Sequence, residues 1–216
     1  MCGIVGYLGG SGRHGSEADE ILLKRMADTI RSRGPDDCGV WFDASDGVGL
    51  AHRRLSILDL SPAGHQPMHS ASGRYVIIFN GEIYNHLELR EDLKQLGTAL
   101  QWRGHSDTET LLAGFETWGI KGTIRRCAGM FAIAVVDRKA RTLTLVRDRI
   151  GEKPLYYGWQ QRDGTACFLF GSELKALKLH PSFNADIDRD ALCLMMRHNY
   201  IPAPYSIYQG IRKLIP

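Results

Sequence analysis

The sequence opens Met1-Cys2-Gly3-Ile4-Val5-Gly6-Tyr7. A cysteine directly after the initiator methionine is one clipping step from being the first residue, and it is small enough for methionine removal to be expected. The mature chain would then carry an α-amine and a thiol on one residue. That is a nucleophile with its own base: the thiol attacks, and the α-amine, with an unperturbed pKa of roughly 7.7–8.0, relays the proton near neutral pH. Ile4, Val5 and Tyr7 between glycines read as a buried strand, which would hold the thiol rigidly at the edge of a sheet. Gly3 leaves the backbone beside the thiol open to a ligand. A plainer reading stands beside this one. A second-position cysteine can be an accident of a frayed terminus or an ordinary small core residue, and Cys2 taken alone favours that reading.

At 216 residues the chain is one large domain or two small ones, long enough to bury a core. Its 44% hydrophobic and 24% charged residues are those of a soluble globular protein. A net charge of +3, scattered along the chain, speaks against nucleic acid or a membrane surface as partner. The cysteines are Cys2, Cys38, Cys127, Cys167 and Cys193; their odd number and the lack of CxxC spacing argue against a disulfide framework and a zinc site and for a reducing cytoplasm. No signal peptide is expected, and the apolar run Met130 to Val136 is too short to span a bilayer.

The elements that must position any site follow from periodicity. Gly9 to Gly15 reads as a glycine-rich loop, and Ser16 with Asp19 as the start of a helix through Ile30 that stops at Gly34-Pro35. Cys38 to Phe42 and Val48 to His52 read as paired strands. Asp59 to His69, with Pro62, Gly64 and Pro67, has the length and composition of a lid or binding loop. Arg74 to Phe79 is a strand ended by Asn80-Gly81, and Asn85 caps a helix through Leu96 with Gly97 as its stop. Ser106-Asp107-Thr108-Glu109 is a capping box opening a helix with Leu111, Leu112 and Phe115 on one face. Met130–Asp137 with Thr142–Arg147, and Leu155–Trp159 with Ala166–Gly171, read as hairpins, the second turning at Asp163-Gly164. Short helices are expected from Ser172 and from Arg189 to His198, and Ile201 to Pro216 shows no core periodicity. Hairpins grouped between helices predict an α+β fold of antiparallel sheets covered by helices. His65 and His69, four apart, lie in a Pro/Gly-rich loop and not a helix, so no metal site is read from them.

Five stretches in order closely resemble the glutaminase domain of class II, N-terminal-nucleophile glutamine amidotransferases. They are Met1 to Gly6, Arg33-Gly34-Pro35-Asp36, Ala51-His52-Arg53-Arg54-Leu55-Ser56-Ile57, Asn80-Gly81-Glu82-Ile83-Tyr84-Asn85 and Ser106-Asp107-Thr108-Glu109. Within that group they are most similar to glutamine-hydrolysing asparagine synthetase. Gly129 to Ala132, Arg147-Asp148-Arg149, Lys153 to Tyr157 and Ser172 to Leu177 extend the resemblance over essentially the whole chain.

The resemblance implies a four-layer αββα sandwich and hydrolysis of glutamine to glutamate and ammonia through a thioester on Cys2. It assigns the oxyanion hole to the Asn80 side-chain amide and the Gly81 backbone N–H, where losing one donor typically costs about 10²–10³ in rate. Read locally, the same dipeptide is a plain Asn-Gly turn. Arg54 takes the substrate carboxylate, a task suited to the guanidinium fork; the neighbouring Arg53 leaves open which of the two faces inward, and the Arg-Leu-Ser-Ile register favours Arg54. Asp107 takes the substrate ammonium while also being a favourable first-turn acid, and Glu82 contributes less.

The implied domains are a glutaminase over 1–200 and, over 201–216, the start of a connection to a synthetase domain absent from this sequence. ATP and magnesium belong to that absent domain; no cofactor and no metal is expected in this one. The implied partners are glutamine and the C-terminal synthetase domain of the same protein, and a homodimer is compatible with the sequence. Other readings are an amidotransferase of the same branch with a different acceptor, a Cys-His hydrolase, for which no histidine signature is present, and a binding module that has lost catalysis.

Overall fold

A computed structural model describes residues 1–9, 16–57, 59–97, 101–162 and 164–216. The glycine-rich loop from residue 10 to 15, and Asp163 of the second expected hairpin, lie outside these residues. In chain order the first half comprises β1 (Gly3–Gly9), α1 (Ser16–Asp28), β2 (Asp37–Asp43), β3 (Val48–Arg54), a 3-10 turn (Pro62–Gly64), β4 (Met68–His69), β5 (Tyr75–Ile83) and α2 (His86–Gln95). The second half comprises α3 (Asp107–Arg126), β6 (Gly129–Asp137), β7 (Thr142–Arg147), β8 (Tyr156–Arg162), β9 (Thr165–Gly171), α4 (Leu174–Leu177), α5 (Arg189–His198) and β10 (Arg212–Lys213).

The strands form two antiparallel sheets, one ordered β10-β8-β9-β1-β3-β2 and the other β4-β5-β6-β7. Three apolar cores separate four layers. Ile4, Leu50, Val76, Ile78, Ala132 and Ala134 fill the space between the sheets. Val5, Tyr7, Ala51 and Leu169, on the other face of the first sheet, pack against Leu23, Met26 and Ile30 of the α1 region. Ile77, Phe79 and Ile133, on the other face of the second sheet, pack against Leu89 of α2 and Leu111, Leu112 and Phe115 of α3. This is the αββα sandwich and α+β class expected. The alternation that builds it is the period of two of a strand buried on both faces.

Several local expectations change. β1 lies inside its sheet, between β9 and β3, so Cys2 stands at the end of an interior strand and not at a sheet margin. Asn80-Gly81 does not end its strand: β5 continues to Ile83, paired residue for residue with β6. Tertiary packing overrides the turn preference, because a Cβ at residue 81 would overlap the Met130 carbonyl and sit 2.7 Å from Phe131 Cα. Asn85 precedes α2, but its side chain makes no cap bond there. Its amide instead bridges Arg126 O and Ala128 N at 2.9 Å each, tying α2 to the end of α3. Ser106 does cap α3, accepting from Glu109 N at 3.3 Å, while Glu109 reaches Arg103 N and Gly104 N. Residues 201–216 join the core despite their lack of periodicity: Ile211 is buried and Arg212–Lys213 add a strand beside β8.

Among the described residues no helix is long and apolar enough to cross a membrane. His65 pairs with Asp37 at 2.7 Å, and His69 lies edge-on to Trp41.

Candidate active site

The site lies at one end of the gap between the two sheets, and strand parity decides which side chains enter it. Along β3, Leu50 faces the gap and Ala51 faces α1. His52 and Arg54 therefore share the gap face, and Arg53 lies on the other, where it pairs with Asp28 at the end of α1. Arg54, and not Arg53, therefore faces the gap. Along β5, Val76 and Ile78 face the gap, so Asn80 and Glu82 continue that face. In β1, Ile4 faces the gap, and Cys2, two residues earlier, falls on the same side. The register pairing Gly3 with Arg53 brings Cys2 next to the end of β3. There Leu55 N donates to Cys2 Sγ at 3.4 Å, and the thiol points to Leu55 O at 3.7 Å.

One cleft is lined by Cys2, Arg54, Asn80, Gly81, Glu82 and Asp107 together. All six residues singled out in the sequence thus converge, although they come from the residue before β1, from β3 and β5, and from the start of α3. His52 holds the two sheets in step, its Nε2 3.0 Å from Phe79 O. Complete burial pushes its pKa down to about 4, so the imidazole is neutral at physiological pH and donates to that carbonyl.

Two N–H donors belong to residues that line the cleft. Asn80 is 1% exposed, and its Nδ2 has no hydrogen-bond partner among the described residues. The second is the Gly81 N–H. Phe131, opposite Gly81, spends both its backbone groups on Asp148, away from β5. In an antiparallel ladder the Gly81 N–H must then point away from β6. Its neighbours on that edge are occupied: Phe79 N donates to Gln66 Oε1 at 2.7 Å and Ile83 N to Asp107 Oδ2 at 2.9 Å. Between them, the Gly81 N–H opens onto the cleft.

Arg54 is buried and spends its guanidinium on carbonyls, Nη2 on Asp59 O and Nη1 on Ser61 O at 3.2 Å. No carboxylate within salt-bridge reach neutralises it among the described residues. Gly64 lies so close to the guanidinium that a Cβ there would overlap it. Asp107, 4% exposed, carries the opposite charge across the cleft. Burial raises its pKa to about 6, although N–H donors from Ile83 and Thr108 pull the other way. Burial likewise pushes the Cys2 thiol up, opposed by the Leu55 N–H and the positive charges of the chain terminus and Arg54. At rest the thiol is protonated and needs a base.

The sequence did not single out every contributor. Asp59, Gln66, Leu55 and Lys153 also line the cleft. The loop from Asp59 to His69, expected as a lid or binding loop, forms one wall. Arg33, from a motif quoted without a role, donates to Cys2 O at 2.9 Å and pairs with Glu173 at 3.0 Å, fixing the backbone next to the thiol.

A model of the glutamine amidotransferase domain family matches residues 1–216. The chain is 36% identical over 232 residues to a putative glutamine-hydrolyzing asparagine synthetase 2 of Methanocaldococcus jannaschii, covering 99% of this chain and 42% of that protein. It is 37% identical over 219 residues to glutamine-hydrolyzing asparagine synthetase 3 of Bacillus subtilis, covering 100% of this chain and 34% of that one. It therefore spans well under half the length of either relative. Among solved structures, glutamine phosphoribosylpyrophosphate amidotransferase from B. subtilis, complexed with ADP and GMP, superimposes with a TM-score of 0.63 at 18% identity. That match covers 82% of this chain and 43% of the other, and shows the shared fold. The whole-chain family match establishes that this chain belongs to the glutamine amidotransferase domain family.

Proposed function

We propose that the cleft hydrolyses glutamine to glutamate and ammonia with Cys2 as nucleophile. The observation that carries this is the meeting in one cleft of the Cys2 thiol with the Asn80 amide, whose Nδ2 has no partner among the described residues, and with Gly81, whose N–H the ladder turns away from β6. The α-carboxylate of glutamine pairs with Arg54, whose buried charge calls for an anion, and its ammonium pairs with Asp107, assisted by Glu82. The thiol adds to the side-chain amide carbon as its proton passes to the α-amine of Cys2, and the oxyanion is held by Asn80 and Gly81. The amine returns the proton to the leaving nitrogen. Ammonia departs, a thioester remains, and water then cleaves it to glutamate and the free thiol.

The base in this scheme exists only in a chain whose first residue is Cys2. With Met1 attached, that nitrogen is an amide and Met1 itself lines the cleft. The processed chain is expected to release glutamate from glutamine, and a fully Met1-retaining sample, verified by intact mass, to be inactive. Activity in the retained form would rule out the α-amine as base.

Asp107 sets a pH dependence. Glutamine's ammonium needs the ionised carboxylate, so kcat/KM should fall as pH drops through about 6, and Asp107→Asn should remove that limb of the profile. The linked effect on stability has the opposite sense. The folded pKa lies above the unfolded value of about 3.9, so this residue's contribution is fully present below that value and lost as pH rises through about 6. Bound glutamine offsets the loss by pairing with the charge.

In the full-length protein the ammonia serves ATP-dependent amidation of aspartate to asparagine by a C-terminal synthetase domain. The names and greater length of the relatives support this. ATP and magnesium belong to that domain. Among the described residues no three His, Cys, Asp or Glu side chains gather as metal ligands, and no step here passes through a metal. The free cysteines of this chain suit a reducing cytoplasm.

A further inference from the structure

Asp59 joins three parts of the site without being one of its reacting groups. Its Oδ1 accepts from Ser61 N at 2.8 Å and from the Ser61 hydroxyl at 2.6 Å. Its Oδ2 accepts from His105 N at 2.9 Å, two residues before Asp107. The carbonyls of the turn so formed, those of Asp59 and Ser61, hold the Arg54 guanidinium. One carboxylate therefore shapes the turn that aims Arg54 and fastens it to the segment that aims Asp107. Gln66 adds a parallel tie, its Nε2 donating to Thr108 Oγ1 at 3.2 Å and its Oε1 accepting from Phe79 N.

Only an ionised carboxylate fits this place. Three donors converge on it, and their hydrogen bonds, those of Ser61 first, hold its pKa down at about 2. An asparagine would turn its own NH2 toward one of these donors.

The structure assigns Asp59 as a positioning residue that fixes the separation of Arg54 and Asp107, and so governs affinity for the α-amino acid end of the substrate. This rests on the reading of the cleft as a glutaminase, in which those two residues grip that end. Loosening the turn moves the grip and leaves the thiol and the N–H donors in place, because Asn80, Gly81 and Cys2 are held by β5 and β1.

The test is steady-state kinetics of Asp59→Asn in the Cys2-initiated chain with glutamine. The expected result is a KM raised on the order of ten- to a hundredfold with kcat nearly constant. Alkylation of Cys2 by iodoacetamide involves Arg54 and Asp107 only through their charges on the thiol, and should stay within a few-fold of the unsubstituted rate. In an Arg54→Lys background Asp59→Asn should add much less than it does alone. Gly104→Ala crowds Asp59 Oδ2 from the other side, since a Cβ there would overlap it. It should reproduce the KM effect, and it replaces Asp59→Asn if that variant does not fold. Unchanged KM, a fall in kcat at constant KM, alkylation slowed as much as KM is raised, or full additivity with Arg54→Lys would each overturn the assignment. If the unsubstituted chain released no glutamate, the glutaminase reading itself would fail instead.

Discussion

Replacing Cys2 with alanine is expected to lower glutamate release from glutamine by about 10⁴-fold or more, because the covalent route disappears. Glutamine should still bind, since Arg54, Asp107 and the two N–H donors remain. The fold should also remain. Among the described residues the thiol makes two weak hydrogen bonds, both with Leu55, at 3.4 and 3.7 Å. β1 is fixed independently by its ladders to β3 and β9 and by the Arg33 bond to Cys2 O. Thermal melting with glutamine titration by calorimetry separates the two effects: loss of turnover with retained binding and an unchanged midpoint. Turnover at the unsubstituted rate would remove Cys2 from the mechanism.

Asn80→Ala carries the second large effect. Its Nδ2 is buried and unpartnered at rest, a state that costs a folded protein about 1–3 kcal/mol. In the proposed mechanism that cost is offset when an oxyanion forms against the amide. Deleting the donor should lower kcat by about 10²–10³ with little change in KM. The melting midpoint should stay level or rise, because an unsatisfied buried donor has been removed. A fall in kcat without a fall in stability is the signature of a group kept for the transition state. Unchanged kcat would contradict the oxyanion role.

Much of this architecture is legible in the sequence because alternation and helix signals are local. The β6–β7 hairpin and α5 fall within a residue of where periodicity puts them. Arg53 and Arg54 show where local reading stops. Parity says only that they face opposite ways, and it takes the position of the second sheet to say which face is the gap. Asn80-Gly81 reads as a turn because its propensity is a turn's, yet the close approach of Met130 and Phe131 needs the glycine inside a strand. Ile211 is core because β8 lies beside it, which no periodicity in residues 201–216 records. Asp59 is visible locally as an Asp-x-Ser turn, but its partner His105 is 46 residues away. Gln66 likewise acts through Phe79 and Thr108, 13 and 42 residues distant. The side chains proposed to meet the substrate are motif residues, whereas those proposed to aim them are joined only by folding.

The most direct measurement of the central claim is intact and peptide-level mass spectrometry of the Cys2-initiated chain, quenched in acid during turnover of glutamine. The account predicts an adduct equal to glutamine less ammonia, carried by the peptide that begins at Cys2, labile to hydroxylamine and absent from Cys2→Ala. Steady glutamate release with the adduct on another residue would contradict it.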